Sequence, residues 1–351
     1  MNEYYHAWNC VFKGKPKPFN TLTKKYPNLK DAWEKLKEFD LARLGIAQEY
    51  IKTFTTLNQS GAPFKEYEGL KRDQIVTLTR RDSIYPHVLR PMHDPPEILY
   101  IKGRFPSFNK HYVSIVGTRD MSAYGQRVTK QIISGLNDDF VIVSGLARGI
   151  DTTAHRAAVE NGLASIAVLG FGIRRIPHYL KNLAEELVLV SEFPPWLPGD
   201  IYTFPQRNRV IAGLSKATVV VEAGHKSGAK ITARFANDLG KEIFAVPGEI
   251  FNDKSVGTNE LIKKGTAEAL LNPNQIYTNL GIEMQDTSPK SLPLYQQFIV
   301  NELKLQPLTK QNLIHKILIP PSKLTSALTE LELSDLIERG KNGKYFLKSQ
   351  C

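Results

Sequence analysis

Between Tyr112 and Leu271, short apolar runs alternate with stretches of helical period, and few folds accommodate that pattern. The runs are Tyr112–Val116, Phe140–Val143, Ser165–Leu169, Leu187–Val190, Ala217–Glu222 and Glu242–Val246. They lack the every-second-residue polarity of a strand with one face in water. A strand apolar on both sides must be covered on both faces, which predicts a mostly parallel sheet between helical layers. Helices are expected over Tyr124–Leu136, Asp151–Asn161 and Thr232–Leu239. The fold class is therefore α/β, an extended Rossmann-like, doubly wound, mostly parallel sheet.

Open sheets of this kind bind ligands outside the carboxyl ends of their strands. Three glycine-bearing loops follow apolar runs: Val116-Gly117-Thr118-Arg119, Ser144-Gly145-Leu146-Ala147-Arg148-Gly149-Ile150-Asp151 and Gly170-Phe171-Gly172-Ile173-Arg174-Arg175. Glycine lets backbone approach an anion closely, and a following helix N-terminus offers unpaired N–H groups. Arg119, Arg148, Arg174 and Arg175 are thereby candidate anion contacts. The stretch Phe204-Pro205-Gln206-Arg207-Asn208-Arg209 adds two guanidinium groups, which either clamp phosphates or brace carboxylates. Glu192 is the carboxylate expected to pair with Arg207 or Arg209. Lys226-Ser227-Gly228 opens a helix and reads either as an anion site or as a capping turn.

Several chemistries are excluded or weakened. There is no G-x-G-x-x-G dinucleotide fingerprint and no Walker-type G-x-x-x-x-G-K-[ST]. Ser144 lacks the G-x-S-x-G elbow of an exposed nucleophile. The eight histidines show no H-E-x-x-H grouping. Asp151 and His155 lie one helical turn apart and admit a catalytic pair, but an Asp in a first helical turn is more often a cap or dipole partner. Glu192 and Glu222 end strands and could serve a ribose or act as acid or base. The two cysteines, Cys10 and Cys351, sit at opposite ends, so neither a disulfide scaffold nor a zinc site is expected. No catalytic residue, metal or cofactor is assigned.

At 351 residues, two or three units are expected. Residues 1–70 have helical spacing through Leu29, Trp33, Leu36, Phe39, Leu44 and Ile51. Residues 71–280 hold the sheet, entered through a proline-dotted segment, Gly69–Pro106, that favours extended chain and turns. Residues 281–292 read as a polar linker. Residues 293–351 then read as helices over Leu294–Leu305, Lys310–Ile317 and Pro321–Leu333, followed by a hairpin turning at Lys341-Asn342-Gly343. Three helices and a hairpin are the winged-helix order. No run reaches membrane-span length and no signal peptide is recognised, so a cytoplasmic protein is expected. The net charge of +11 favours a polyanionic partner, although the cluster Lys13, Lys15, Lys17, Lys24 and Lys25 reads as a solvated face.

Taken in order, the motifs resemble the DNA-processing protein A (DprA, or Smf) family. They run from Tyr85-Pro86 and Asp94-Pro95-Pro96 through the Gly117 and Gly145 loops with Ala154-His155, then Ser191-Glu192. They continue with Phe204-Pro205, Arg207-Asn208-Arg209, Ser227-Gly228, Pro247-Gly248 and Gly257-Thr258-Asn259. The resemblance implies a non-catalytic, sequence-independent single-stranded DNA binder. It also implies a homodimer that protects DNA and hands it to a RecA-type recombinase in natural transformation. It puts Gly117, Thr118 and Arg119 in the DNA pocket and makes Lys181 the nearest equivalent of a family lysine. Residues 1–70 would match the family's helix-hairpin-helix or sterile-alpha-motif-like module, though Gly14-Lys15-Pro16-Lys17-Pro18 replaces the glycine hairpin. With Arg148, Arg174, Arg175, Arg207, Arg209, Lys226, Ser227 and Gly228, these residues make up the expected DNA-binding set. Phe171, Phe204 or Tyr124 would offer stacking faces, with core packing favoured for Phe204. The competing class is a nucleotide-binding Rossmann enzyme or sensor of the nucleoside-monophosphate phosphoribohydrolase type. Its P-G-G-x-G-T loop is not assembled here, since Pro247-Gly248 is followed by Glu249.

Overall fold

Within each central strand, neighbouring side chains enter different cores. In the strand Phe140–Ser144, Val141 and Val143 join one apolar cluster while Phe140 and Ile142 join another. That two-residue alternation of apolar with apolar is why a sheet with helices on both faces forms. A computed structural model describes residues 1–283, 294–317, 320–333, 336–340 and 342–348. The chain divides into two compact units, Met1–Ile282 and Glu283–Cys351.

The first unit opens with helices α1 (Asn2–Phe12), α2 (Pro16–Lys25), α3 (Leu29–Lys35), α4 (Glu38–Arg43), α5 (Gln48–Ser60) and α6 (Ala62–Arg72). Strands β1 (Ile75–Thr79), β2 (Ile98–Lys102) and β3 (His111–Val116) follow. Next come α7 (Ala123–Ser134), β4 (Phe140–Ser144), α8 (Ile150–Glu160), β5 (Ala164–Val168), α9 (Lys181–Glu185) and β6 (Val188–Ser191). The unit continues through α10 (Thr203–Leu214), β7 (Ala217–Val220), α11 (Ala229–Asp238), β8 (Glu242–Ala245), α12 (Val256–Lys263), β9 (Glu268–Ala269) and α13 (Asn274–Asn279). The sheet order is β1-β2-β6-β5-β4-β3-β7-β8-β9. Pairing is parallel from β6 to β9, whereas β1–β2 and β2–β6 are antiparallel. This is a Rossmann-like α/β sheet. From β3 the chain builds towards β6, then returns to the other side of β3 with β7, so loops after β3 and β7 diverge. That reversal opens the crevice at which such sheets bind ligands.

The proline-dotted segment contributes the two antiparallel strands that extend the sheet. Its turns are fixed locally, as where the buried Tyr85 hydroxyl donates to the Pro96 carbonyl at 2.7 Å. The six N-terminal helices gather around Trp8, whose ring stacks on Phe54 at 4.8 Å and meets Trp33 edge-on at 5.2 Å. Their apolar cluster continues without a break into Tyr100, Leu146, Leu169 and Leu189 of the sheet and its loops. In the connection between α1 and α2, Gly14 has φ of 74°, and an added Cβ would lie 2.6 Å from the Phe193 ring. Glycine is needed there for both conformation and space.

The second unit contains α14 (Leu294–Leu305), β10 (Leu308–Thr309), α15 (Lys310–Ile317), α16 (Pro321–Leu333), β11 (Ile337–Arg339) and β12 (Lys344–Leu347). The three strands pair antiparallel in the order β10-β12-β11 around a core that includes Ile299, Leu313, Leu324 and Leu328. Gly343, with φ of 74°, closes the hairpin by donating to the Gly340 carbonyl at 2.9 Å. Lys341 and most of the expected linker, 284–292, lie outside the described residues. Among the described residues no helix is long and apolar enough to cross a membrane.

Trp8 is fully buried and its Nε1 donates to the Leu29 carbonyl at 3.2 Å. Trp8→Ala should therefore lower unfolding free energy by about 3–5 kcal/mol in urea titrations. A loss below about 1 kcal/mol would show that the N-terminal core does not depend on this ring.

Candidate nucleic-acid interface

The loops after β3, β4 and β7 meet through contacts that demand glycine. A Cβ on Gly117 would sit 2.5 Å from Ile150, and one on Gly149, whose φ is 88°, would sit 2.4 Å from the Thr118 carbonyl. In that space, the Thr118 amide donates to the Glu222 carbonyl at 2.9 Å and the Ile150 amide donates to the Thr118 carbonyl at 3.2 Å. Beside these loops lies a cleft of about 620 Å³. Its lining includes Gly117, Thr118, Arg119, Arg207, Lys226, Ser227 and Gly228 from the expected set. The topology therefore joins residues from three separated motifs.

The cations divide by burial into two kinds. Arg207 is buried; its Nη1 donates to the Gly145 and Val168 carbonyls and its Nε to Asn208 Oδ1. Burial draws its pKa down to about 10, against the pull of Asp151 and with Arg119 adding to the lowering, so it stays cationic at neutral pH. Asn208 in turn donates to the Gly228 carbonyl at 3.2 Å. Arg209 is also buried, and it pairs with Glu192, the bracing expected for one of these two arginines. Burial lifts Glu192 above the ordinary carboxylate range while Arg209 pulls it down.

Arg119, in contrast, is exposed and lies over the Phe204 ring, 5.0 Å from its centroid. The opposite demand on that ring comes from Gly170 and Gly199, where an added Cβ would come within 2.5 and 2.7 Å of it. Phe204 is half-buried, a fixed platform under a cation. Lys226 is exposed at the same cleft. Beside it, Ser227 Oγ accepts from the Ala229 amide at 3.3 Å, and the Lys230 and Ile231 amides donate to the Ser227 and Gly228 carbonyls. This is a capping turn, and the side chain of Lys226 remains as the outward charge.

Other candidates lie elsewhere. Arg174 is held by Asp73, at 2.6 Å, and Glu66, at 3.6 Å. Arg175 lines a smaller adjoining cavity that shares Phe204 with the main cleft and also contains Phe171. Arg148 is exposed after β4 and does not line the cleft. Lys181 begins α9 and lines a separate cavity with Asp73 and Lys102. Tyr124 is tied to the Pro247 carbonyl through its hydroxyl at 2.9 Å.

The possible catalytic groups are engaged in hydrogen bonds within the fold. Asp151 accepts from the Gly145 amide at 3.1 Å, and burial raises its pKa. Gly149, not Asp151, occupies the cap of α8. His155 shares a hydrogen bond with Ser165 at 2.8 Å, and burial pushes its pKa down to about 3, keeping the ring neutral. Glu222 accepts from the Ser122 amide at 2.9 Å and from the Ser122 hydroxyl. Neither Glu192 nor Glu222 lines the cleft.

Residues 76–281 match the family model described as DNA recombination-mediator protein A. Protein Smf of Synechocystis sp. is 34% identical over 289 residues, covering 79% of this chain and 72% of that protein. DNA processing protein DprA of Streptococcus pneumoniae is 40% identical over 52% of this chain and 67% of its own length. The X-ray structure of DprA from Streptococcus pneumoniae superposes with a TM-score of 0.69 at 29% identity, over 79% of this chain and 97% of that one. DNA processing protein A from Helicobacter pylori, whose structure is described as giving insight into its single-stranded DNA binding mode, matches with a TM-score of 0.52 at 28% identity. It covers 59% of this chain and 95% of that one.

Removing one member of a buried ion pair strands the other. Arg209→Met should cost about 3–5 kcal/mol in denaturant titrations, and adding Glu192→Gln should recover most of it. Equal stability of Arg209→Met and wild type would remove this pair from the framework of the cleft.

Proposed function

The chain belongs to the DNA recombination-mediator protein A family, and on that premise we propose that it binds single-stranded DNA without sequence preference. The observation that carries the reading is Arg119, an exposed guanidinium fixed on Phe204 above a cleft at the sheet's reversal point. Arg119 and Lys226 are in no ion pair among the described residues, so both charges are available to phosphate. Phosphate contacts give affinity without sequence information. The adjoining cavity with Arg175, Phe171 and Phe204 supplies further charge and ring surface along the same path. Gly117, Thr118, Ser227 and Gly228 form the walls, while Arg207 holds the Gly145 and Val168 carbonyls behind them and Arg209 pairs with Glu192. Arg148, Arg174 and Lys181 belong to a wider basic surface reached outside the main cleft.

In this reading the protein is a mediator with no catalytic step. It works in the cytoplasm as a homodimer, protects single strands and loads a RecA-type recombinase during natural transformation. The similarity of a Helicobacter pylori relative described by its single-stranded DNA binding mode supports the substrate. The order of helices and strands in the second unit supports a winged helix, and the helices of 1–70 support an accessory module before the Rossmann-like domain of 71–280. The phosphoribohydrolase alternative is less favoured, since Glu192 and Glu222 are bonded to Arg209 and Ser122 and do not line the cleft.

Fluorescence anisotropy of a labelled thymine-only oligonucleotide tests this reading. Wild type should bind with strong salt dependence, resist competition by duplex and mononucleotide, and lose at least about tenfold in affinity on Arg119→Ala. The slope of log affinity against log salt should become shallower by roughly 0.7 for that lost contact. Displacement by a mononucleotide, with the slope unchanged in Arg119→Ala, would instead favour the nucleotide-binding class.

A further inference from the structure

We infer that His6, Cys10 and Glu66 form a binding site for one zinc-class divalent cation, in the N-terminal helices and independent of the DNA reading. His6 and Cys10 are four residues apart on α1 and so share one helix face, and Glu66 comes from α6. Their nearest ligand atoms form a closed triangle. His6 Nε2 lies 3.6 Å from Cys10 Sγ and 3.6 Å from Glu66 Oε2, and Cys10 Sγ lies 3.9 Å from that same Oε2. A point equidistant from three atoms so spaced lies about 2.1 Å from each, within the range of about 2.0–2.3 Å for zinc bound to nitrogen, oxygen or sulfur. The same separations serve hydrogen bonds among the three groups while no ion is bound.

The surroundings orient two of the three ligands, His6 and Glu66. His6 Nδ1 is 2.8 Å from the Tyr100 hydroxyl, which also accepts from Asn9 at 3.2 Å. In the tautomer that carries its proton on Nδ1 and donates it to the Tyr100 oxygen, the Nε2 lone pair faces Cys10 and Glu66, the outer-shell arrangement found around metal-bound histidine. The other carboxylate oxygen, Glu66 Oε1, is held by Arg174 at 3.6 Å, and Arg174 is itself neutralised by Asp73. His6 and Cys10 are buried, and Glu66 is only 18% exposed. One thiolate, one carboxylate and one neutral imidazole exactly offset a divalent charge in that interior. On binding, the thiol proton leaves to solvent. A nitrogen, sulfur and oxygen donor set suits zinc or cobalt rather than magnesium or calcium. An ion about 0.5 Å out of the ligand plane would lie about 2.2 Å from each atom and leave a fourth position for water.

The test uses the full chain in a Cys351→Ser background, stripped with chelator and titrated with Co²⁺, then with Zn²⁺. One equivalent of Co²⁺ should bind with a thiolate-to-cobalt charge-transfer absorption and tetrahedral d–d bands, all displaced by Zn²⁺. Cys10→Ser should abolish the charge-transfer band. Glu66→Gln, at a helix surface, should keep the circular dichroism spectrum and weaken Co²⁺ binding at least about tenfold, and Tyr100→Phe should weaken it about tenfold. Failure to reach one equivalent overturns the inference, as does a charge-transfer band that survives Cys10→Ser. If Cys10→Ser does not fold, Glu66→Gln decides, and unchanged affinity in that variant overturns the site.

Discussion

The cleft depends on the Arg207 guanidinium being buried where two strand ends and a helix meet. It reaches the carbonyl of Gly145 after β4 and that of Val168 at the end of β5, while Asn208 beside it reaches Gly228 before α11. The fit leaves no room for a side chain at position 145, since a Cβ on Gly145 would lie 2.3 Å from the guanidinium. A lysine could not replace this fork, because its single ammonium cannot span the same acceptors in fixed geometry. Asp151 supplies the nearby opposite charge while holding the Gly145 amide. The buried arginine therefore sets the spacing of the loops on which the exposed cations stand.

The sheet was legible because its strands carry their own evidence. Runs such as Phe140–Val143 are apolar on both sides, and that alone requires two covering layers. The antiparallel strands β1 and β2 were not recognised as strands, because Pro86, Pro91, Pro95 and Pro96 crowd the chain between them. The prolines lie in the connection, which leaves Ile98–Lys102 free to pair. The convergence of the Gly117 loop with Lys226–Gly228 was legible only as a general property of strand ends. Which loops meet is decided by the reversal of strand order at β3.

The roles of individual arginines were less legible, for a physical reason. Arg119, Arg207 and Arg209 all neighbour glycine or carboxylate motifs, and sequence does not say which guanidinium turns inward. Burial makes the distinction: Arg207 and Arg209 have their charge consumed by carbonyls or Glu192, while Arg119 rests on a ring face that leaves its field open to solvent. The same reasoning sorts the lysines. Lys230 is bound to Glu260 and Lys254 to Asp120, whereas Lys226 carries no such partner among the described residues. His6, Cys10 and Glu66 had one sequence signal, the four-residue spacing of the first two. Glu66 joins them only through the packing of α6 on α1.

A net charge of +11 is thus a poor guide to where a polyanion would lie. Ion pairs cancel some of the cations locally, and a cancelled pair contributes little at distances beyond the screening length of about 8–10 Å. What remains near the cleft is a small number of uncompensated charges on rigid loops. That arrangement suits a flexible strand whose phosphates recur at regular intervals, because each contact needs charge and position but no knowledge of the base. In the proposed binding mode, the buried Arg207 and the Arg209–Glu192 pair would restrict the geometries of neighbouring loops and so lower the ordering cost when the ligand arrives. Arg119 exemplifies the division: its position is fixed by Phe204, Phe204 is fixed by Gly170 and Gly199, and the charge itself is left without a partner.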